Sequence, residues 1–312
     1  MNAPIDTTTL YSFILQGKAV IVVSDLDGTF LDHHTYDFSE SKAAAEDLLA
    51  QGIPTIFNTS KTFAEVSVLL DEMEVDLPFV VENGSAIYFP KSYFPAAVCE
   101  RYIDSHPQYS LSDAGKNYEL KLGIDADSIL TALRTFEDVF RVDLPGYRKW
   151  SIEDVMAATG LSQDEAERSK TRQYSEVLSF DFDLKQSMMS REQVLGELRQ
   201  YTSQLNFGLL EGGRFYHVLG KTDKGKAVQV LRELYAEHLQ KEIVVVALGD
   251  SPNDTAMLQV ADIAAAVKKP DGTHLSIDSE NSEFIQRIIK SNATAPKGWA
   301  EVFHRLGVTS SA

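Results

Sequence analysis

The sequence predicts an α/β protein with a doubly wound parallel sheet as its core and an inserted α+β cap domain. Short apolar runs alternate with helical patterns near both ends of the chain, as expected for strands that are buried on both faces. Between residues 91 and 217 this order stops, and the predicted strands alternate polar with apolar residues. We therefore predict a core formed by residues 1–90 and 218–312 and an insert formed by residues 91–217.

Five apolar runs predict the core strands, and only the second contains a polar residue, Thr55. The runs are "AVIVV" (19–23), "IPTIF" (53–57), "PFVV" (78–81), "IVVVAL" (243–248) and "IAAAV" (263–267). The helical pattern "SESKAAAEDLLAQG" follows the first run, with Ser39 as the expected N-cap and Gly52 as the expected end. This order favours a Rossmann-like sheet with helices on both faces.

The insert is predicted to contain amphipathic helices and an antiparallel sheet. Its helical patterns are "DSILTALRTFEDVF", "SIEDVMAATG" and "SREQVLGELRQYTSQL", and its strand patterns are "YELKL", "EVLSFDF" and "RFYHV". Alternation of polar and apolar residues indicates strands with one face in solvent. The hinges between insert and core are expected near Pro90 and near Leu219 and Gly220.

Composition limits the possible partners of the chain. Its 312 residues carry a formal net charge of −17, which argues against nucleic-acid or anionic-membrane partners, because both require a basic surface. Cys99 is the only cysteine, so an intramolecular disulfide and a multi-cysteine zinc site are excluded. No signal peptide or membrane-spanning run is recognisable, and we expect a cytoplasmic protein that acts on a small molecule.

Four carboxylates are expected to meet at one edge of the core sheet. Asp25 and Asp27 follow the first predicted strand, and Asp250 and Asp254 follow the fourth. Open α/β sheets bind their ligands at the carboxyl ends of the strands. Because clustered carboxylates repel each other, a hard cation with oxygen ligands, such as Mg²⁺, is expected among them.

Four segments resemble, in order, the signature motifs of the haloacid-dehalogenase-like phosphatases: "DLDGTFLD", "NTSKT", "DKGKA" and "GDSPNDTAML". The resemblance implies that Asp25 is a nucleophile that forms an aspartyl-phosphate. It also implies that Asp27 first protonates the leaving alkoxide and then deprotonates the hydrolytic water. Thr59 would bind a phosphoryl oxygen, and Lys224 would neutralise the nucleophile and the transferring phosphoryl group.

The same resemblance implies a ligand set for Mg²⁺. The Asp25 carboxylate, the Asp27 backbone carbonyl and Asp250 would hold the ion. Asn253 and Asp254 would orient its water or support its ligands.

The position of the insert, between the second and third motifs, resembles the Cof-type branch of this superfamily. Five blocks further resemble the mannosyl-3-phosphoglycerate phosphatases: "IFNTSKT", "LPFVVENGSAIYFPKSYFP", "RQYSE", "GRFYHVLGKTDKGKA" and "ALGDSPNDTAML". This resemblance implies a phosphoric monoester hydrolase that releases mannosylglycerate, a compatible solute. The same chemistry on glucosyl-3-phosphoglycerate or another sugar phosphate remains open. So does a sugar phosphomutase or phosphotransferase, because phosphomutases share both aspartates.

Such a substrate carries a carboxylate and a sugar besides its phosphate, and candidate binding residues follow from that chemistry. A guanidinium fork suits a carboxylate. The candidates for the anion are Arg172, Arg214 and His217, those for the hydroxyls are Gln173, Ser175 and Glu176, and Lys61 is typical of this branch.

A purely structural role, without substrate binding, remains open for three features of the sequence. "RQYSE" is equally compatible with a helix-to-strand junction that carries a surface ion pair, and His217 with a packing role. For Glu82 and Asn83 a hairpin turn that serves only the backbone is the favoured interpretation, and a role facing the cap is the alternative.

Overall fold

The structure is a computed structural model, and it describes residues 9–180, 189–212, 215–277 and 282–308. These residues form twelve strands, which are β1 (Ala19–Ser24), β2 (Thr55–Asn58), β3 (Phe79–Val81), β4 (Ala86–Pro90), β5 (Ser110–Ala114), β6 (Asn117–Lys121), β7 (Ser175–Leu178), β8 (Phe207–Gly212), β9 (Phe215–Gly220), β10 (Ile243–Gly249), β11 (Ile263–Lys268) and β12 (Ile289–Thr294).

The same residues form twelve α-helices and a short 3₁₀ helix at Pro252–Asp254. The α-helices are α1 (Thr9–Leu15), α2 (Ser39–Ala50), α3 (Phe63–Met73), α4 (Ala96–Ser105), α5 (Ala126–Phe140), α6 (Ile152–Thr159), α7 (Gln163–Ser169), α8 (Arg191–Gln204), α9 (Lys224–Leu239), α10 (Thr255–Val260), α11 (Ser282–Arg287) and α12 (Lys297–Arg305). Within the described ranges, no helix combines the length and the apolar character needed to cross a lipid bilayer.

A nine-stranded sheet forms the core, in the order β12-β11-β10-β1-β2-β3-β4-β6-β5. Neighbouring strands from β12 to β3 are parallel, whereas β4, β6 and β5 pair antiparallel. The predicted α/β core with a dominant parallel sheet is confirmed. β1 lies inside the sheet and pairs with β10 along its whole length, from Ala19 opposite Ile243 to Ser24 opposite Leu248.

The wholly apolar sequence of β1 is explained by packing on both faces of the sheet. Val20 belongs to a buried cluster that includes Trp299 of α12. Its neighbour Ile21 belongs to the cluster on the other face, which includes Leu231 of α9. Because successive side chains of a strand point to opposite faces, a strand covered by helices on both sides needs apolar residues at every position.

A second, three-stranded antiparallel sheet lies within the predicted insert, in the order β7-β9-β8. Leu178 of β7 packs with Leu133 of α5 and Leu198 of α8. The preceding residue, Val177, packs on the opposite face with Leu161, in the cluster that also includes α6 and α7. This sheet therefore has helices on both faces.

β5 and β6 also lie within residues 91–217, but they extend the nine-stranded sheet at its edge. The segment "YELKL", expected in the antiparallel sheet of the insert, is mostly β6. Its alternation fits an outer strand with partly exposed residues. The limits of the insert at residues 91 and 217 stay a prediction.

The predicted N-cap at Ser39 is wrong. Helix α2 already includes Ser39, and the residue before it, Phe38, makes no side-chain cap. Asp37 supplies the acceptor instead, because its carboxylate accepts hydrogen bonds from the amide and the hydroxyl of Ser39 at 3.2 and 3.0 Å. The following helix, α3, begins with a capping box in which Thr62 and Glu65 satisfy each other's backbone amides.

Candidate active site

The carboxyl ends of three neighbouring parallel strands bring the predicted site residues together. Asp25, Thr59 and Asp250 are the first residues after β1, β2 and β10. Helix α9 begins beside them at Lys224, since the side chain of Asp223 caps the helix by accepting from the amide of Lys226 at 2.8 Å.

Lys224 is the central cation of this site. Its side chain is fully buried, and its Nζ lies 2.6 Å from an oxygen of Asp25 and 2.6 Å from an oxygen of Asp254. Burial by itself would lower the pKa of Lys224, but the two carboxylates outweigh burial and raise the pKa. Lys224 is therefore protonated and compensates two buried negative charges.

Asp25 and Asp250 are both held in an environment that opposes their ionisation. Burial, followed by the charge of Asp254, raises the pKa of Asp25 to about 7. Burial, followed by the charge of Asp25, raises the pKa of Asp250 to about 8. The single ammonium group of Lys224 thus does not neutralise the charge of three carboxylates. A bound cation would add positive charge and favour the ionised forms of these carboxylates.

Both oxygens of Asp254 are engaged by the protein itself. Oδ1 pairs with Lys224, while Oδ2 accepts hydrogen bonds from the backbone amides of Asp250 at 3.0 Å and Ser251 at 2.9 Å. These bonds fold the loop after β10 so that Asp250 approaches Asp25.

The donor set fits a divalent metal ion. Asp25, Asp250 and Asp254 each offer one carboxylate oxygen, and the three oxygens lie within 4.8 Å of one another. Carboxylate oxygens are the ligands that hard divalent cations prefer. Thr29 orients Asp250 by donating to its Oδ1 at 3.2 Å. Gly28 leaves room for it, since a Cβ there would lie 2.9 Å from Asp250 Oδ2.

Asp27 is separated from Lys224 and has a different cationic partner. Its Oδ1 lies 3.1 Å from Nζ of Lys61, which is also 3.7 Å from Glu65. Burial opposes the charge on Lys61, but these two carboxylates raise its pKa above the usual value. The two aspartates of "DLDGT" therefore face two different cations, although a single leucine separates them.

Thr59 and Asn253 lie on the loops that close this edge of the sheet. Thr59 is fully buried, and its Oγ1 accepts a hydrogen bond from the amide of Lys61 at 3.2 Å. Asn253 donates from Nδ2 to Oδ1 of Asn83 at 2.9 Å. Asn253 also lines the cavity above the carboxylates.

A cavity of about 200 Å³ connects the carboxylates with the small sheet. On the core side it is lined by Asp25, Asp27, Ser60, Lys61, Asp250 and Asn253. On the opposite side it is lined by Tyr147, Leu161, Arg172, Val177, Phe215 and His217. The cavity thus has a charged core side, and its opposite side combines apolar and aromatic side chains with polar ones that include Arg172 and His217.

Among the described residues of the insert that were predicted to bind substrate, Arg172 and His217 line the cavity. Arg172 donates to the carbonyl oxygen of Ser60 at 2.6 Å and to Oγ of Ser175 at 2.9 Å. Burial, followed by the charges of Arg172 and Lys224, lowers the pKa of His217 to about 3. His217 is therefore neutral, and its buried Nδ1 has no hydrogen-bond partner in the described part of the chain.

The other predicted binding residues of the insert make contacts outside the cavity lining. Gln173 accepts from the hydroxyl of Tyr88 at 2.8 Å, and Ser175 donates to Glu82 at 2.5 Å. Glu176 is buried, which raises its pKa, and it accepts from the amide of Arg148 at 2.9 Å. Arg214 lies outside the described residues.

Several cavity residues were missed by the sequence analysis. Ser60 lies inside the segment "NTSKT" and Phe215 inside "GRFYH". Both segments were recognised as motifs, so these two residues could have been identified from the sequence. Tyr36 lies with its ring centroid 5.2 Å from Lys61 Nζ, and Tyr147 lies in the loop after α5. Neither had a signal in the sequence. Tyr36 belongs to the core and lies at the cavity beside Lys61, whereas Tyr147 reaches the cavity through the packing of the insert on the core.

The hairpin between β3 and β4 contains the turn expected at Glu82 and Asn83. The favoured interpretation that this turn serves only the backbone is wrong, because the Glu82 carboxylate accepts a hydrogen bond from the amide of Gln173 in the insert at 2.8 Å. The next residue of the turn, Gly84, has φ +89°, and a Cβ there would lie 2.1 Å from the carbonyl oxygen of Asp223. We expect Gly84→Ala to destabilise the protein by about 3 kcal/mol or more, because strain and a backbone clash combine.

Gly115→Ala is the matched control for that substitution. Gly115 has φ +72° in the turn between β5 and β6, and a Cβ there meets nothing within 4 Å. Only the backbone strain remains, and the expected loss is about 1 kcal/mol. Urea unfolding of both variants measures the difference, and equal losses would contradict the predicted clash.

A family model and two curated relatives agree on the kind of protein that this chain resembles. Residues 22–272 match the family model of the haloacid dehalogenase-like hydrolases. The chain is 31% identical over 288 residues to a glucosyl-3-phosphoglycerate/mannosyl-3-phosphoglycerate phosphatase of Persephonella marina, an alignment that covers 92% of this chain and 97% of that protein. It is 33% identical over 247 residues to a mannosyl-3-phosphoglycerate phosphatase of Pyrococcus horikoshii, with coverage of 79% and 90%.

Solved structures share the fold at lower identity. A haloacid dehalogenase-like hydrolase from Bacteroides thetaiotaomicron superimposes with a TM-score of 0.56 at 15% identity, covering 93% of this chain and all of that chain. The sucrose-phosphatase of Synechocystis sp. PCC6803 superimposes with a TM-score of 0.56 at 14% identity, covering 93% of this chain and 98% of the other. These likenesses support the fold alone.

Proposed function

The chain belongs to the haloacid dehalogenase-like hydrolase family, and from this premise we propose that it is a Mg²⁺-dependent phosphatase of mannosyl-3-phosphoglycerate. The products are mannosylglycerate and phosphate. The observation that carries the proposal is the buried pair of Asp25 and Lys224 at 2.6 Å, with Asp27 at the cavity two residues further on.

In the proposed mechanism Asp25 is the nucleophile. One of its oxygens attacks phosphorus, the bond from phosphorus to the glycerate oxygen breaks, and an aspartyl-phosphate forms. Lys224 stabilises the negative charge on the attacking carboxylate and on the phosphoryl group. The carboxylates of Asp25, Asp250 and Asp254 would hold Mg²⁺, which would neutralise negative charge on the phosphoryl group.

Asp27 handles the proton in both halves of the reaction. It donates a proton to the leaving alkoxide and afterwards accepts one from the water that attacks the aspartyl-phosphate, which restores Asp25. The ion pair with Lys61 keeps the carboxylate of Asp27 at the cavity, away from Lys224. Two aspartates with the same intrinsic chemistry can thus have separate roles.

The cavity supports a substrate with both a second anion and a sugar. We infer that Arg172 and Lys61, which line it, attract the glycerate carboxylate. Neutral His217 offers a nitrogen to a sugar hydroxyl, and the aromatic rings of Tyr147 and Phe215 provide an apolar surface for the sugar ring. The part of the insert that follows β6 would act as the cap, excluding bulk water during transfer.

Glucosyl-3-phosphoglycerate is a second candidate substrate. The relative from Persephonella marina and one from Methanococcoides burtonii, 33% identical over 282 residues, carry both substrate names. Mannose and glucose differ in the configuration of one hydroxyl.

A substrate comparison tests the proposal. We expect phosphate release with Mg²⁺ from either glycosyl-3-phosphoglycerate, with kcat/KM at least about 100-fold above two truncated controls. The controls are 3-phosphoglycerate, which lacks the sugar, and mannose 6-phosphate, which lacks the carboxylate. EDTA should abolish the release, and added Mg²⁺ should restore it.

Two outcomes would contradict the proposal. Transfer of the phosphoryl group to a second sugar, with no free phosphate, would indicate a phosphomutase or phosphotransferase. A value of kcat/KM for mannose 6-phosphate equal to or above that of both glycosyl-3-phosphoglycerates would indicate a simple sugar phosphatase.

A further inference from the structure

We propose that Glu82, in the turn formed by residues 82–84, couples the catalytic loops to the cap. The inference rests on the proposed function, because the loops are those proposed to carry the reaction. Glu82 does not line the cavity, so we assign it a positioning role.

The backbone of this turn is unusual. Glu82, Asn83 and Gly84 have φ angles of +48°, +59° and +89°, three consecutive residues in the left-handed region. Glutamate adopts this conformation rarely, because its Cβ approaches the backbone carbonyl. Such conformations persist where the surroundings impose them, and they concentrate at functional sites.

Hydrogen bonds from the turn reach the loop of the second motif. The amide of Glu82 donates to the carbonyl of Lys61 at 2.9 Å, and the amide of Asn83 donates to the carbonyl of Thr59 at 2.9 Å. The left-handed backbone directs both amides towards this loop, so the turn fixes the segment that carries Thr59 and Lys61.

The third and fourth motifs are tied to the same turn. Thr222, just before the helix that carries Lys224, donates from Oγ1 to the carbonyl of Gly84 at 2.8 Å. Asn253 of the loop after β10 donates to the side chain of Asn83 at 2.9 Å. One turn therefore contacts three of the four segments that resemble the family motifs.

The carboxylate of Glu82 joins the turn to the insert. It is 1 % exposed, and it accepts hydrogen bonds from the amide of Gln173 at 2.8 Å, the amide of Tyr174 at 3.1 Å and Oγ of Ser175 at 2.5 Å. Nε of Arg172 lies 3.7 Å away. These donors form the segment that leads into β7 of the small sheet.

This arrangement links the position of the cap to the geometry of the catalytic loops. If the segment 172–175 moved away, the Glu82 carboxylate would lose its donors, and a buried unpaired carboxylate is strongly disfavoured. Arg172 moves with that segment, and it holds the carbonyl of Ser60 at 2.6 Å. The loop that carries Lys61 is thus held from two sides when the cap is in place.

Glu82→Gln tests the coupling, because glutamine keeps the size but loses one acceptor oxygen. We expect kcat/KM for the glycosyl-3-phosphoglycerate to fall about 10- to 100-fold, the range for loss of a hydrogen bond to a charged group. For p-nitrophenyl phosphate, which lacks the sugar and the carboxylate, we expect a change below about 3-fold. Amide hydrogen exchange at Gln173 and Tyr174 should become at least about 10-fold faster.

Glu137→Gln is the matched control within the insert. Glu137 accepts from the amide of Leu144 at 2.8 Å and pairs with Arg148 and Lys149, away from the turn. We expect this variant to leave the ratio of the two kcat/KM values and the exchange at Gln173 unchanged. Ser175→Ala removes one donor to Glu82 and should change the ratio of the two kcat/KM values in the same direction as Glu82→Gln. It replaces Glu82→Gln as the test variant if that variant does not fold.

Equal losses on both substrates would overturn the proposal, because they would indicate a general structural role for Glu82. Unchanged amide exchange at Gln173 and Tyr174 would also overturn it. Failure of the proposed function is a separate result, which would appear as no phosphate release by the unmodified protein. The exchange measurement would then still decide whether Glu82 holds the cap segment.

Discussion

Replacement of Asp25 by asparagine is expected to lower kcat for phosphate release by at least about 10⁴-fold, the scale seen when a catalytic nucleophile is removed. The amide keeps the shape of the side chain but cannot attack phosphorus. Phosphate release from the glycosyl-3-phosphoglycerate under saturating substrate measures the effect. Turnover near that of the unmodified protein would mean that Asp25 is not the nucleophile.

The fold of the Asp25→Asn variant should persist. Burial and the charge of Asp254 already raise the pKa of Asp25 to about 7, so the site does not favour the ionised carboxylate. Lys224 keeps its second partner, Asp254, at 2.6 Å. We expect the Tm to fall by no more than about 4 °C. Asp47→Asn, on the exposed face of α2, is the control that should retain full activity.

Replacement of Lys224 by methionine should reduce both activity and stability. The side chain is fully buried and compensates Asp25 and Asp254, so its removal leaves two buried carboxylates without a cation. Breaking such a pair costs about 3–5 kcal/mol of unfolding free energy near pH 8. Loss of its charge from the phosphoryl site should lower kcat by about 10³-fold or more.

The stability loss of Lys224→Met should depend on pH in a defined direction. An acid whose folded pKa is raised contributes stability that is present below its unfolded pKa, 3.8 for Asp25, and is lost as the pH rises through the folded value of about 7. Without Lys224 this folded pKa rises further. The difference in unfolding free energy between the variant and the unmodified protein should therefore be smallest near pH 5 and largest near pH 8.

Urea unfolding at the two pH values, in the presence of EDTA, measures this dependence. Lys226→Met is the control, because Lys226 lies one half-turn further along α9 and is partly exposed. A loss for Lys224→Met that is equal at both pH values would contradict the assigned role of the two carboxylates.

The sequence was most informative where a local pattern and a chemical requirement coincide. Wholly apolar runs predicted the buried parallel strands because a strand packed on both faces has no polar position, as Val20 and Ile21 of β1 illustrate. The polar segments at the ends of these strands predicted that Asp25, Thr59 and Asp250 would meet. Parallel neighbours end at the same edge, so this proximity follows from strand order alone.

The sequence was least informative where the outcome depends on packing between distant segments. "RQYSE" offered four candidate binding residues, but the structure places only Arg172 at the cavity and directs Gln173, Ser175 and Glu176 to other partners. No local pattern distinguishes these residues, because the orientation of each depends on how the insert packs on the core.

The fold class, the family and the proposed chemistry of this protein could be predicted from its motifs, since each motif is short and either follows a recognisable strand or begins a helix. The folded structure was needed to show that Asp25 pairs with Lys224 while Asp27 pairs with Lys61, and that Glu82 contacts the segment before β7. Contacts between residues far apart in the chain depend on domain packing, and that packing carries no short-range signature in the sequence.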